Sequence, residues 1–179
     1  PAPKSNSMPF TDVPQDSYYY KAVLWAAENG IAKGVSATTF NPQGTCSRAQ
    51  IVSFLWRTKG SPVVSGGSDF SDVASDAYYA VAVAWAEKNG ITGGIGGGLF
   101  GPELPCTRAQ IVTFLWRAAG SPEPQSMNSF TDVSAGSYYA RAAAWTAENG
   151  IAAGTGSGKF SPDAACTRAQ IVTFLRRAY

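Results

Sequence analysis

Apolar positions recur along the chain in broad helical stripes. In CSRAQIVSFLWR, which starts at Cys46, residues Ala49, Ile51, Val52, Phe54 and Leu55 are apolar. On a period of 3.6 residues they cover a wide face of one helix. The phrase returns as CTRAQIVTFLWR from Cys106 and as CTRAQIVTFLRR from Cys166, each time 60 residues on. A second stripe precedes each phrase. Tyr18, Ala22, Trp25 and Asn29 share one face and predict a first helix from about Ser17 to Asn29. Gly30 is a left-handed terminator for it.

The second helix carries a full start signal in every copy. Ser47, Thr107 or Thr167 is the N-cap, and Gln50, Gln110 or Gln170 follows three residues later, which makes a capping box. Cys46 then falls at N′ and Ile51 at N4, the positions of a hydrophobic staple. Gly60 and Gly120, each followed by Ser-Pro, close two of the copies. Other landmarks keep the same spacing. Phe10, Phe70 and Phe130 open an F-[TS]-D-V phrase, Tyr-Tyr follows at 18–19, 78–79 and 138–139, and Phe40, Phe100 and Phe160 lie two residues before prolines.

Two helices cannot bury so much apolar surface alone, so the three units pack on one another. An open solenoid needs polar, atypical end repeats, whereas the outer copies here match the middle one. The prediction is an all-α fold of three pseudo-threefold helix-loop-helix repeats, with the second helices forming a central three-helix bundle. Residues 1–9 read as a linker from a longer protein, and the repeats as 10–62, 63–122 and 123–179. The third copy departs visibly at Arg176, which replaces Trp56 and Trp116.

Composition narrows the function classes. The chain is 45% apolar, enough for a packed core. Its net charge of +2 argues against a nucleic-acid binder that works through a broad basic face. No apolar run reaches 18 residues, so no membrane insertion is expected. Histidine is absent, which removes the commonest general base and metal ligand and with it any Ser/His/Asp or Cys/His arrangement. The glycine-rich segment GGIGGG at 93–98 lacks a preceding strand and a G-K-[ST], so it is not read as a nucleotide cradle. No cofactor and no metal is expected.

The candidate chemistry is the arginine that follows each N-cap. Arg48, Arg108 and Arg168 sit at N1, where the helix dipole disfavours a cation by up to about 1 kcal/mol. Such a cation wants an anion. Asp12, Asp72 or Asp132 of the F-x-D-V phrase supplies one internally as an ion pair. An external carboxylate, held by the guanidinium and free helix N–H groups, supplies one as ligand. Residues alone leave both open. Gly34, Gly94 and Gly154 mark a backbone position that needs positive φ or close ligand approach. Trp25, Trp85 and Trp145 read first as core, with an indole edge available to floor a sugar groove. Cys46, Cys106 and Cys166 lack zinc-site spacing and read as small buried hydrophobes.

The F-x-D-V opening, the Gly-Ile after the first helix, the Phe-x-Pro loop and the T-R-A-[EQ] helix start together resemble the S-layer homology family, over residues 10–179. The resemblance implies a three-pronged spindle with grooves between adjacent units. It implies a non-catalytic module that anchors a larger exported protein at the bacterial cell wall. Its partner would be an anionic secondary wall polysaccharide, often one with a terminal pyruvylated amino sugar. The family's motif arginine maps onto Arg48, Arg108 and Arg168, with Asp12, Asp72 and Asp132 orienting them or binding hydroxyls. Cys stands where the family usually has Ile, and Gln where it usually has Glu, which removes three negative charges beside the arginines. A surface-lattice interaction module is the alternative reading. Lys33 has Gly93 and Ala153 as its equivalents, so the grooves are expected to be inequivalent.

Overall fold

A computed structural model describes residues 7–127 and 130–179. Residues 1–6 of the expected linker lie outside these. Six helices are present among the described residues: α1 (Tyr20–Glu28), α2 (Arg48–Thr58), α3 (Ala80–Lys88), α4 (Arg108–Ala118), α5 (Ala140–Glu148) and α6 (Arg168–Ala178). The second helix of each repeat starts where the capping box places it. In α2 the Ser47 Oγ accepts from Gln50 N at 3.3 Å, and Gln50 Oε1 accepts from Ser47 N at 3.1 Å. Both bonds recur in α4 and α6.

The first helices begin about three residues later than Ser17. That stretch is a turn: Ser17 N and Oγ both donate to Pro14 O, and Tyr20 N donates back to Ser17 O. The N-cap is Tyr19, which has no oxygen placed to cap the helix. Tyr18 therefore lies outside the helix and is exposed.

Packing follows a rule that the repeat does not announce. α2, α4 and α6 pack against one another as the central bundle. Each first helix docks on the second helix of the preceding repeat: α3 on α2, α5 on α4, and α1 on α6. The last pair closes the ring. At the axis three backbone hydrogen bonds run in a cycle. Cys106 N donates to Cys46 O at 3.0 Å, Cys166 N to Cys106 O at 3.0 Å, and Cys46 N to Cys166 O at 3.1 Å. The cysteines are free and fully buried. Burial pushes the Cys46 and Cys166 thiols up to about 12 and the Cys106 thiol higher still.

Loops are built around paired phenylalanines. Phe10, Phe70 and Phe130 lie 5.3, 5.7 and 5.3 Å from Phe40, Phe100 and Phe160. A Cβ on Gly34, Gly94 or Gly154 would stand 2.5, 2.6 or 2.9 Å from the ring of Phe10, Phe70 or Phe130. The recurrent glycine thus makes room for that ring. Positive φ applies to Gly94 alone of the three.

Candidate functional site

The F-x-D-V aspartates act as brackets on the Phe-x-Pro loop. Asp72 Oδ1 accepts from Phe100 N at 2.8 Å, and Oδ2 accepts from Gly101 N at 2.8 Å. Asp12 grips Phe40 N and Asn41 N in the same way, and Asp132 grips Phe160 N and Ser161 N. Burial alone would push the Asp72 carboxyl up, but its N–H donors outweigh this and hold it below the usual carboxylate range. Asp132 is lowered too, chiefly by the Phe160 N–H.

Each bracketed loop receives the helix start of the preceding repeat. Arg48 N donates to Leu104 O at 2.9 Å and Ala49 N to Pro102 O at 3.0 Å. Arg108 and Ala109 dock likewise on Ala164 and Pro162, and Arg168 and Ala169 on Gly44 and Pro42. These N–H groups are therefore not free for a ligand, in contrast to the alternative in which an external carboxylate is held by them. Loop carbonyls already supply the partial negative charge that the helix start attracts.

The arginine side chains cross the same joint. Arg48, Arg108 and Arg168 are buried, at 2, 4 and 5% exposure. Their Nε atoms donate to Phe100 O, Phe160 O and Phe40 O at 2.9, 2.8 and 2.9 Å. Each guanidinium lies over the ring of the same phenylalanine, at 4.8, 4.8 and 4.6 Å. A second ring faces it: Phe114, Phe174 or Phe54. Burial pulls all three guanidinium groups below their ordinary value. The expected direct ion pair with Asp12, Asp72 or Asp132 is absent among the described residues. The aspartate instead holds the N–H of the phenylalanine whose carbonyl holds the arginine.

Two cavities open beside these arginines. One, of about 430 Å³, is lined by Arg48, the loop from Thr92 to Ile95, Gln110, Thr113, Phe114, Arg117 and Tyr138. The other, of about 440 Å³, is lined by Arg108, Ala153 to Thr155, Gln170, Thr173, Phe174, Arg177 and Tyr18. They are the same site turned about the pseudo-axis. Each takes its buried arginine from one repeat, its loop and helix wall from the next, and its exposed tyrosine from the one after. The grooves thus draw on all three repeats rather than on adjacent pairs. At the third position Arg168 reaches the Lys33 carbonyl and the Phe54 ring, as Arg108 reaches the Ala153 carbonyl and the Phe174 ring.

Gly94 and Gly154 line the cavities. Trp25 and Trp85 are buried in the core, Trp145 is half-buried, and none of the three lines either groove. The groove also holds Thr113, Phe114 and Arg117, which the sequence reading did not single out. With Gln110 of the capping box they fall at i, i+3, i+4 and i+7, one face of α4. Arg57, Arg117 and Arg177 recur every 60 residues, and that was the available signal. Their Nη1 atoms donate to Ile31 O, Ile91 O and Ile151 O at 3.1, 3.1 and 3.3 Å. No carboxylate lines either cavity, so two guanidinium groups, an amide and a phenol face it. That set suits an anionic, hydroxyl-rich ligand.

Comparison with known proteins agrees with this architecture. The family model described as the S-layer homology domain matches residues 9–52, 69–112 and 129–172. A cell surface protein of Thermoanaerobacter kivui is 37% identical over 114 residues, which is 61% of this chain and 15% of that protein. An endoglucanase of Bacillus sp. (strain KSM-635) is 31% identical over 175 residues, 93% of this chain and 18% of that protein. A surface-layer 125 kDa protein of Lysinibacillus sphaericus is 27% identical over 164 residues, 89% of this chain and 14% of that protein. The chain thus spans less than a fifth of the length of each of these relatives.

Proposed function

The chain belongs to the S-layer homology family of cell-surface modules, and from that premise we propose that it is a non-catalytic anchor for secondary cell-wall polysaccharide. The ligand group is the carboxylate of an acidic substituent, such as a pyruvate ketal on an amino sugar. The observation that carries this reading is the groove repeated about the axis: a buried arginine beside a second arginine, with no lining carboxylate. The phenol of Tyr138 or Tyr18 and the amide of Gln110 or Gln170 offer partners to sugar hydroxyls. Wall polysaccharide is repetitive, so more than one groove on one chain raises the effective affinity. Larger relatives carry this region in a surface-layer protein and in a named endoglucanase, which fits an anchoring part serving different parent proteins. No helix among the described residues is long and apolar enough to cross a membrane.

Sedimentation with purified wall sacculi tests the reading. Sacculi that retain their secondary polymer should carry the protein into the pellet, and sacculi stripped of it should not. Equal retention on both would point to peptidoglycan or protein contacts instead.

A further inference from the structure

The three buried arginines do not have the same partners. Arg108 Nη2 donates to Ala153 O at 2.8 Å, and Arg168 Nη2 donates to Lys33 O at 2.7 Å. Arg48 Nη2 is buried and has no hydrogen-bond partner among the described residues. The carbonyl that would correspond is that of Gly93, which lines the same cavity. What has changed is the loop. Thr92 stands where the other copies have Ala32 and Ala152. Its Oγ1 accepts from Gly94 N at 3.1 Å, and Gly94 adopts φ +77°. The N–H and C=O of one peptide unit point in opposite directions. Turning the Gly94 N–H towards Thr92 therefore turns the Gly93 carbonyl away from Arg48. Gly94 tolerates the left-handed backbone that this requires.

A buried charged donor left without a partner is disfavoured unless something meets it. Here it belongs to a guanidinium that lines a cavity of about 430 Å³, with Arg117 and Gln110 in the wall. In the Arg108 and Arg168 grooves the protein's own carbonyl takes that place.

We propose that the Arg48 groove is the primary anion acceptor of this chain, and that Thr92 and Gly94 are the positioning residues that make it so. The Arg108 and Arg168 grooves are self-occupied and bind the same group more weakly. The sequence difference at Lys33 suggested inequivalence by charge; the structure bases it on a peptide orientation. The proposal rests on the reading of the ligand as a carboxylate-bearing sugar.

The test uses the full chain and NMR of its arginine Nε and Nη resonances. The probe is a methyl glycoside of a pyruvate-ketal N-acetylhexosamine, with the ketal-free sugar as control. Without probe, the Nη2 protons of Arg108 and Arg168 should exchange slowly and those of Arg48 fast. On titration Arg48 should respond first, at an affinity about tenfold or more above the other two. Thr92→Ala should slow the Arg48 Nη2 protons and weaken that groove about tenfold, and Thr92→Ser should restore both. Ala152→Thr combined with Ala153→Gly should strengthen the Arg108 groove. Parallel responses of the three arginines, or a Thr92→Ala protein that behaves as wild type, overturn the proposal. So does a silent titration. If the protein still pellets with polymer-bearing sacculi, that silence refutes the groove assignment alone; if it does not pellet, the anchoring reading falls as well.

Discussion

Arg48 and Phe100, 52 residues apart, are joined twice. The Arg48 Nε donates to the Phe100 carbonyl at 2.9 Å, and the guanidinium lies 4.8 Å from the centre of the Phe100 ring. The Gly101 N–H, in the same peptide unit as that carbonyl, is held by Asp72 Oδ2 at 2.8 Å, so one peptide unit relays the aspartate to the arginine. Arg108 with Phe160, and Arg168 with Phe40, repeat the link and carry it around the ring. The arginine at the helix start is thus a joint between repeats as well as the wall of a cavity.

Removing a joint should cost stability. A hydrogen bond to a charged group contributes about 1.5–3 kcal/mol, and stacking on an aromatic face about 0.5–2 kcal/mol. Arg108→Ala and Arg168→Ala, which lose two bonds and the stack, should destabilise the chain by roughly 3.5 kcal/mol or more. Arg48→Ala should cost less, because it also removes an unpaired buried donor. Urea unfolding of the three variants gives the order, and equal losses would contradict it.

The capping boxes, the second-helix stripes and the closure of the ring were all legible in the sequence. Each is local, or follows from the likeness of the end copies to the middle one. The start of the first helices was not, because Ser17–Tyr19 forms a turn bonded back to Pro14 that apolar spacing does not reveal. The partners of the arginines were not legible either. A 60-residue period says which residues are equivalent, but not that α3 packs on α2 or that Tyr138 reaches the Arg48 groove. The one-residue change from Ala to Thr92 is visible, but its effect on the next carbonyl is a matter of backbone geometry.

Acid should loosen the loop brackets. The Asp72 and Asp132 carboxylates are lowered in the folded chain relative to an unfolded value of about 3.9. Their contribution is present above that value and is lost as pH falls through the lowered folded value. Asp72→Asn should therefore be less stable than wild type at pH 7, with the gap shrinking below about pH 4. Thermal melts across that range check it; a gap independent of pH would contradict the bracket.

Alkali should act at the axis. The cysteine thiols are raised from an ordinary value of about 8.5, Cys46 and Cys166 to about 12. Above the ordinary value the unfolded chain loses these protons while the folded chain keeps them. Stability from this source is thus full below about pH 8.5 and is lost as pH rises towards the folded values. Replacing Cys46, Cys106 and Cys166 by Val should flatten part of the decline between pH 8.5 and 11, read by thermal melts. In the native chain a thiol reagent should find none of the three accessible at neutral pH.

Unfolding should be cooperative across the repeats. Each groove and the axial hydrogen-bond cycle need all three, and each first helix packs on a neighbouring repeat. Circular dichroism and tryptophan fluorescence should report one coincident transition, and residues 1–122 alone should not fold cooperatively. Separate transitions for separate repeats would contradict the closed ring.

If the grooves bind an acidic substituent on wall polysaccharide, binding must depend on that group. The most direct measurement is a calorimetric titration of the full chain with purified secondary polymer, before and after its acidic substituent is removed. Binding should be strong to the native polymer and fall by about tenfold or more on the treated one, in line with the loss of one charge-assisted contact. Equal affinity for both polymers would contradict the account.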